Sequence, residues 1–346
     1  MAHSLAAIGG GFVWPDLTIL SDGEQILAQV RPTGGKVWEP IRYMENWDCP
    51  LSVGEFEAAV DSFVESVLAR LAGCQFSGTN LHLLWHELRT ERRDPETASV
   101  RRLEALLGFD AAAAPDALID ELLVNAQAEG RAAVDEVVAG FGSSAPEILK
   151  QVDESLSSHG TTLDSANVKE LGGRRDSWSL TGPPWERGAK AAKLAREIWS
   201  LNGRPVRNDE LVGLIGAEPS LITGQVSADV PMPAARWTTP DRQGWCVVLR
   251  SRWQVGRRFE MCRLIADGLV APDGELLLPA TNAKTSRQKF QRAFAQEFLC
   301  PSDALLERLG SLPPEDEDIE SAAEYFEVSP LLIRSKLANQ DILPRF

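Results

Sequence analysis

The stretch that decides the fold reads Arg258-Phe259-Glu260-Met261-Cys262-Arg263-Leu264-Ile265-Ala266-Asp267. It lies within a longer segment, 257–270, whose apolar residues recur at helical spacing and predict a helix. Arg263 and Asp267 are four residues apart, so they share one face of this helix and can pair with each other.

The segments on either side of this helix also have clear patterns. The apolar run 245–249 predicts a buried strand, and further helices are predicted over 185–202, 209–215 and 286–299. Two short helices, 319–326 and 330–339, are predicted at the end of the chain.

Four motifs follow one another in the second half of the chain. They are the Ala-rich helix at 192–199, Gly256-Arg257-Arg258-Phe259, Gln288-Lys289-Phe290-Gln291-Arg292-Ala293-Phe294-Ala295-Gln296-Glu297-Phe298-Leu299-Cys300-Pro301, and Ala323-Glu324-Tyr325-Phe326-Glu327-Val328-Ser329 before Leu337. In this order they resemble the ImmA/IrrE-like family of bacterial zinc metallopeptidases, over residues 185–346. The resemblance implies a metallopeptidase-like (zincin-like) C-terminal domain that ends in a helical pair.

The sequence departs from this family at the four positions that would carry its chemistry. By the resemblance, the two metal-binding His of the HExxH motif correspond to Arg263 and Asp267, and the general base corresponds to Leu264. The third metal ligand corresponds to Gln288. Peptidase zinc needs three protein ligands and an open water position, whereas an arginine cannot ligate and a leucine cannot accept a proton. We therefore predict no metal, no cofactor and no catalytic residue at this degenerate site.

Arg263 and Asp267 could occupy the space that a metal ion takes in the family. We hypothesise that an Arg263–Asp267 ion pair, together with Gln288, occupies the space of the metal, since pairing relieves the cost of burying either charge alone. The alternative is that both side chains face solvent or the N-terminal region.

A second set of residues is predicted to contact a partner. Residues 236–292 contain 11 basic and 5 acidic residues, whereas residues 1–183 contain 14 basic and 28 acidic ones. The basic stretch predicts either an anionic partner or docking against the acidic front half of the same chain. Tryptophan favours contact-forming positions. The candidate binding residues are Trp245, Trp253, Arg257, Arg258, Arg287 and Arg292.

The first half of the chain resembles no family that we can name. Residues 1–75 are predicted to form a strand-rich segment followed by a long helix. Asp22-Gly23 predicts the turn of a hairpin, and residues 37–43 predict a third strand. Ser52 is predicted to cap the helix. Residues 76–157 read as a helical region. Residues 158–184, rich in Ser, Gly, Thr and Pro, read as a linker. The fold class is therefore α+β and mainly helical.

Composition narrows the cellular setting. The net charge of −15 argues against general nucleic-acid binding. We expect no membrane span because no run of eighteen apolar residues occurs. The five scattered cysteines form no CxxC pair, which favours reduced thiols in the cytoplasm.

Three further features each have two interpretations. His82 and His86 are spaced to share a metal, but the pattern is more typical of a polar helix face. Cys262 precedes an arginine that would activate a thiol, but a buried helix cysteine is the commoner case. The tail pair 319–339 reads either as a DNA-binding helix-turn-helix or as a helical lid.

Three functions follow as hypotheses. The first is a non-catalytic pseudo-peptidase that binds a protein partner or regulates it, in the mobile-element, toxin or phage-defence setting that the resemblance implies. The second is a zinc-independent or altered peptidase. The third is a DNA-binding transcriptional regulator. A protein partner is expected before a nucleic acid, and the sequence leaves the oligomeric state open.

Overall fold

The structure, a computed structural model, is α+β and mainly helical, as predicted. In the part of the chain that it describes, two four-stranded antiparallel sheets are present. The chain divides into two compact units, residues 1–119 and 120–346. The described residues are 2–34, 41–164, 166–173, 182–224, 229–239, 242 and 244–344.

The sheet of the first unit has the strand order β1-β2-β3-β4. Asp22-Gly23 forms the turn of the predicted hairpin, with Leu20 opposite Leu27, so that prediction is confirmed. The third predicted strand, 37–43, is different: residues 35–40, including Trp38, lie outside the described residues, and the strand beside β3 is β4. The strands are β1 (Ala2–Ser4), β2 (Asp16–Ser21), β3 (Gln25–Arg31) and β4 (Trp47–Ser52).

Capping residues fix the helices that follow. The Ser52 hydroxyl accepts a hydrogen bond from the Glu55 amide, 3.1 Å away, and donates to the Glu55 carboxylate, which confirms the predicted cap. Thr79 and Asp94 cap the next two helices in the same way. The helices are α1 (Val53–Gly73), α2 (Asn80–Glu91), α3 (Pro95–Leu107) and α4 (Asp116–Glu129).

The second unit arranges its helices around a sheet of strand order β5-β7-β6-β8. Its elements are α5 (Arg131–Phe141), α6 (Ala145–His159), β5 (Thr161–Asp164), α7 (Ala166–Gly173), α8 (Pro184–Ile198), α9 (Asn208–Gly213), α10 (Ser220–Thr223), β6 (Ala234–Trp237), β7 (Gly244–Val248), α11 (Gln254–Val270), β8 (Leu277–Pro279), α12 (Ser286–Leu299), α13 (Ser302–Leu309), α14 (Asp316–Phe326) and α15 (Pro330–Asn339).

The two faces of this sheet meet different helices. On one face, Trp237 and Trp245 lie opposite each other and stack, with ring centroids 5.7 Å apart, in the core that contains α11 and α12. On the other face, Cys246 contacts the Leu156 carbonyl of α6, and α5 packs beside β8. Helices α5 and α6 therefore belong to the second unit, so the predicted helical region 76–157 is divided between the two units.

The linker predicted over 158–184 is wrong for much of its length. β5 pairs with β7 and places Leu163 opposite Trp245, while α7 packs on α11 and buries Val168 and Leu171 completely or nearly so. Three well-spaced apolar residues anchor this segment although most of its composition is small and polar. Residues 174–181 lie outside the described part of the chain.

The tightest helix packing in the second unit joins α8 to α12. A stripe of small residues on α8, made of Gly188, Ala191, Ala192 and Ala195, is buried against α12. A Cβ atom at Gly188 would lie 2.4 Å from the Phe290 carbonyl oxygen, closer than any real contact. Position 188 therefore requires glycine for the two helices to approach.

Gly188→Ala should lower the free energy of unfolding by about 1–3 kcal/mol, the usual cost of overpacking. Gly213→Ala is the matched control, since an added Cβ there meets no atom within 4 Å, and its effect should stay within about 1 kcal/mol. Urea unfolding followed by circular dichroism measures both. Equal stability of the two variants would show that α8 and α12 can separate freely.

Candidate functional site

The degenerate site lies inside the second unit, between α11 and α12. Arg263, Leu264 and Asp267 come from α11, and Gln288 comes from the first turn of α12. Arg263 is 6% exposed and the other three are fully buried. The alternative in which Arg263 and Asp267 face solvent is therefore wrong, because both point into the protein.

Arg263 fills the space between the two helices and the end of β8. Its guanidinium donates to the Thr281 carbonyl at 2.6 Å and to the side-chain oxygens of Gln288 at 2.5 Å and Gln291 at 3.3 Å. The amide groups of both glutamines donate to the Pro279 carbonyl, each at 3.0 Å. Burial lowers the pKa of Arg263 to about 10, so the group still carries its charge at neutral pH.

Asp267 has a different counter-ion from the one predicted. Its two carboxylate oxygens accept hydrogen bonds from Nε and Nη2 of Arg287 at 2.6 and 2.7 Å, a bidentate pair. The predicted Arg263–Asp267 pair does not form. The planar guanidinium of Arg287, in the first turn of α12, faces the Asp267 carboxylate. The Arg263 guanidinium instead donates to three other oxygen atoms.

The same arginine connects the site to α5. The Nη1 atom of Arg287 lies 3.6 Å from the Oε2 atom of Glu275. Glu275 in turn accepts hydrogen bonds from the Ala132 and Ala133 amides in the first turn of α5, at 2.9 and 2.7 Å. Burial disfavours the charge on Arg287, but Asp267, Glu136 and Glu275 together raise its pKa above the ordinary value. The start of α5 is thus held by the carboxylate that also faces Arg287.

A second contact from α5 closes the site. Glu136 accepts a hydrogen bond of 2.6 Å from the hydroxyl of Thr285, which caps α12 through the Gln288 amide. Burial raises the pKa of Glu136, and the Thr285 hydrogen bond and the Arg287 charge offset this only in part. Together, α5 and the loop before α12 separate the degenerate site from solvent.

The basic stretch 236–292 meets acidic residues of its own chain. Arg236 on β6 forms a bidentate pair with Glu129, at 3.1 and 2.7 Å, and a second ion pair with Asp153. Both carboxylates belong to the acidic half of the sequence. The intrachain alternative is therefore confirmed for Arg236.

The residues of the site do not fit a zinc ion. The Arg263 guanidinium is cationic where a ligand would stand, and Leu264 carries no donor atom. Both carboxylate oxygens of Asp267 accept hydrogen bonds from Arg287. The Gln288 side-chain oxygen accepts from Arg263, and its NH2 group donates to the Pro279 carbonyl. Among the described residues, no group of three His, Cys, Asp or Glu side chains is placed to hold a metal.

Most of the candidate binding residues are buried. Trp245 is fully buried in its stack on Trp237, and Arg257 is buried. Arg258 is completely buried, where it contacts Asn208, the Val206 carbonyl and Glu327. Arg287 pairs with Asp267, and the half-buried Arg292 donates to the Ala283 carbonyl at 2.8 Å. Burial thus removes Trp245, Arg257, Arg258 and Arg287 from the binding candidates, while Trp253 is 78% exposed.

Gln291, Thr281, Glu136 and Glu275 belong to the network but were not predicted from the sequence, and of these only Gln291 had a detectable signal. Gln291 is three residues after Gln288 on a predicted helix, so the two had to share a face. Thr281, Glu136 and Glu275 gave no local signal, because only the tertiary fold brings them to the site.

The remaining candidates also have structural explanations. His82 and His86 are exposed on α2, where they line a shallow cleft with Glu65 and Arg89. Cys262 is fully buried, and burial raises the pKa of its thiol to about 12, so it stays protonated at neutral pH. Neither position has the surroundings of a reactive site.

The tail pair packs onto the second unit. Lys336 of α15 is buried, where it donates to Glu297 at 2.5 Å and to the Cys300 carbonyl. Although burial opposes it, the Lys336 charge and hydrogen bonds from Lys336 and Ser302 lower the pKa of Glu297. Arg334 pairs with Asp316 on α14 at 2.8 Å. These contacts agree with the helical-lid interpretation.

No family model, curated protein or solved structure matches this chain. The ImmA/IrrE-like resemblance therefore stays a prediction from the quoted motifs. Across the described residues, no helix combines the length and apolar character needed to span a bilayer.

Arg287→Leu should lower the free energy of unfolding by about 3–5 kcal/mol, because it leaves the Asp267 carboxylate buried without its counter-ion. The double variant Arg287→Leu/Asp267→Leu should recover part of this loss. Arg334→Leu, which removes an exposed pair, is the control and should cost less than about 1 kcal/mol. Urea unfolding of these variants and of Asp267→Leu alone gives the coupling energy. Strictly additive effects of Arg287→Leu and Asp267→Leu would contradict a direct pair.

Glu136→Gln should raise the free energy of unfolding at about pH 8, where the wild-type carboxylate is charged and desolvated. The pKa of Glu136 is raised in the folded state, so folding is penalised above that pKa and the penalty disappears as the pH falls through it. The difference between the two proteins should therefore vanish in mild acid. Urea unfolding over a pH series, with the exposed Glu154→Gln as control, checks the sign; a Glu136→Gln protein less stable than wild type at about pH 8 would contradict it.

Proposed function

We propose that this chain is a non-catalytic, metallopeptidase-like protein that acts by binding another protein. The observation that carries the proposal is the buried network at the degenerate site. Arg263, Asp267 and Gln288 are all hydrogen-bonded to neighbouring protein groups, and Leu264 is packed in the core.

This network does not suit hydrolysis. Cleaving a peptide needs a positioned nucleophile or activated water, and space for the scissile bond beside it. At this site the residue at the position of the general base is a leucine, which is fully buried in the core. The nearby thiol of Cys262 is protonated and buried. These features favour the binding protein over the altered peptidase.

The contacts of the basic residues disfavour the DNA-binding alternative. Lys336 is buried against Glu297, and Arg334 is paired with Asp316, so the two basic residues of α15, the helix that would read DNA in this alternative, are engaged within the chain. Arg236 and Arg258 also have acidic partners. A DNA-reading helix needs its side chains free for bases and phosphates.

The wider setting rests on the resemblance alone. A cytoplasmic protein of a bacterial mobile-element, toxin or phage-defence system is the setting that the family motifs imply. In such a role, a peptidase-like scaffold would be retained for its shape and its surface.

The full chain, incubated with a zinc salt and desalted, should retain no stoichiometric zinc in elemental analysis and should leave unfolded casein intact. The side-chain oxygens of the network are already hydrogen-bonded to other protein groups, and contacts from α5 enclose the site. One zinc per chain together with casein cleavage, both lost in Asp267→Ala, would contradict the proposal. The His82→Ala/His86→Ala variant is the control for zinc held by surface histidines of the first unit.

A further inference from the structure

A cleft opens at the surface of the second unit, between the start of α11 and the tail helix α15. Its volume is about 370 Å³. Trp253 is 78% exposed and Leu331 is 66% exposed. Both line this one cleft, and grouped exposed apolar side chains are a mark of binding surfaces. Six of its ten lining residues are Ser251, Trp253, Val255, Phe259, Leu331 and Leu332.

The loop that carries Trp253 is held rigidly although the indole itself is exposed. The Ser251 hydroxyl accepts from the Trp253 amide at 3.2 Å and donates to the Trp253 carbonyl at 3.1 Å. The Glu260 carboxylate accepts from the amides of Arg250 and Ser251 at 2.9 and 3.0 Å. A Cβ atom at Gly256 would lie 2.0 Å from the Ser251 hydroxyl, so glycine is needed for this loop to close.

A fixed backbone under an exposed tryptophan matters for binding energetics. A partner that covers Trp253 gains the burial of a large aromatic surface, and the loop has little conformational freedom to lose. An exposed indole on a loop with its own hydrogen bonds is therefore a pre-organised anchor.

The charges around the cleft select the kind of partner. Arg250 and Arg252 flank Ser251 and are both exposed. The first turn of α11 contains no acidic residue, Trp253 provides no side-chain cap, and Val255 and Gly256 of that turn line the cleft, so the positive end of the helix dipole lies beside it. The ten lining residues include no Asp or Glu. In a chain of net charge −15, this is a local basic surface beside an apolar cleft.

We infer that this cleft binds an acidic segment of a partner protein, which places one large apolar side chain between Trp253 and Leu331. Acidic residues of the segment lie beside Arg250, Arg252 and the start of α11. The inference rests on the proposed non-catalytic binding function and names the surface and the chemistry that it uses.

The test is a selection of random twelve-residue peptides displayed on phage, with the full chain as bait. Enriched peptides should carry Asp or Glu next to Leu, Ile, Phe or Trp. A synthetic copy of the most enriched peptide should bind Trp253→Ala at least about tenfold more weakly than wild type. Trp185→Ala is the matched control, because Trp185 is also exposed in this unit (51%) and lies outside the cleft.

A second variant tests the charge independently of the tryptophan. Arg250→Glu/Arg252→Glu changes only exposed side chains, so folding should be preserved, as circular dichroism will show. It should bind the acidic peptide at least about tenfold more weakly, and a repeated selection should enrich peptides with Lys or Arg instead.

Several outcomes would overturn the inference. They are the absence of any enriched peptide, enrichment without acidic residues, equal binding by wild type and Trp253→Ala, and a dimer of the chain that is lost in Trp253→Ala. Mass spectrometry of the peptide after binding separates this inference from the proposed function. Intact peptide bound equally by Trp253→Ala refutes only the cleft, whereas cleaved peptide refutes the non-catalytic function.

Discussion

The buried pair between Asp267 and Arg287 is the constraint on which the second unit depends. A fully buried carboxylate is costly unless its hydrogen-bonding capacity is met by a well-placed cation. The bidentate geometry meets that need and fixes the start of α12 against the end of α11. Because Arg287 also faces Glu275, and Glu275 holds the first turn of α5, one arginine relates three helices.

This constraint explains why Arg263, Asp267 and Gln288 occur together at the site. Asp267 is acceptable in the core only beside Arg287. Arg263 is acceptable only because two glutamines and the Thr281 carbonyl supply oxygen acceptors. Gln288 suits this role better than a glutamate, since its amide also donates to the Pro279 carbonyl. Each residue is suited to its neighbours, so replacing one of them with a metal ligand would leave the others without partners.

The sequence predicted the helices and the position of the site, but it did not predict which arginine pairs with Asp267. The spacing of apolar residues placed α12 at 286–299 and α15 at 330–339, the bounds that the structure has. The resemblance of the motifs predicted that positions 263, 264, 267 and 288 lie together. The choice between Arg263 and Arg287 as the partner of Asp267 depends on side-chain direction across two helices, which spacing along one helix cannot provide. The linker prediction failed because three apolar residues, not average composition, determine whether a short segment joins a core.

The distribution of positive charge has a consequence for where a partner can bind. Arg236, Arg258 and Arg287 are each engaged by acidic groups of the same chain, and Arg263 is enclosed. Their charges are met by partners within the fold. Arg250 and Arg252 are exposed instead, beside a tryptophan that the loop holds outward. The enclosed polar network at the centre of α11 and the exposed tryptophan just before its start together favour the start of that helix as the binding surface that we infer for this unit.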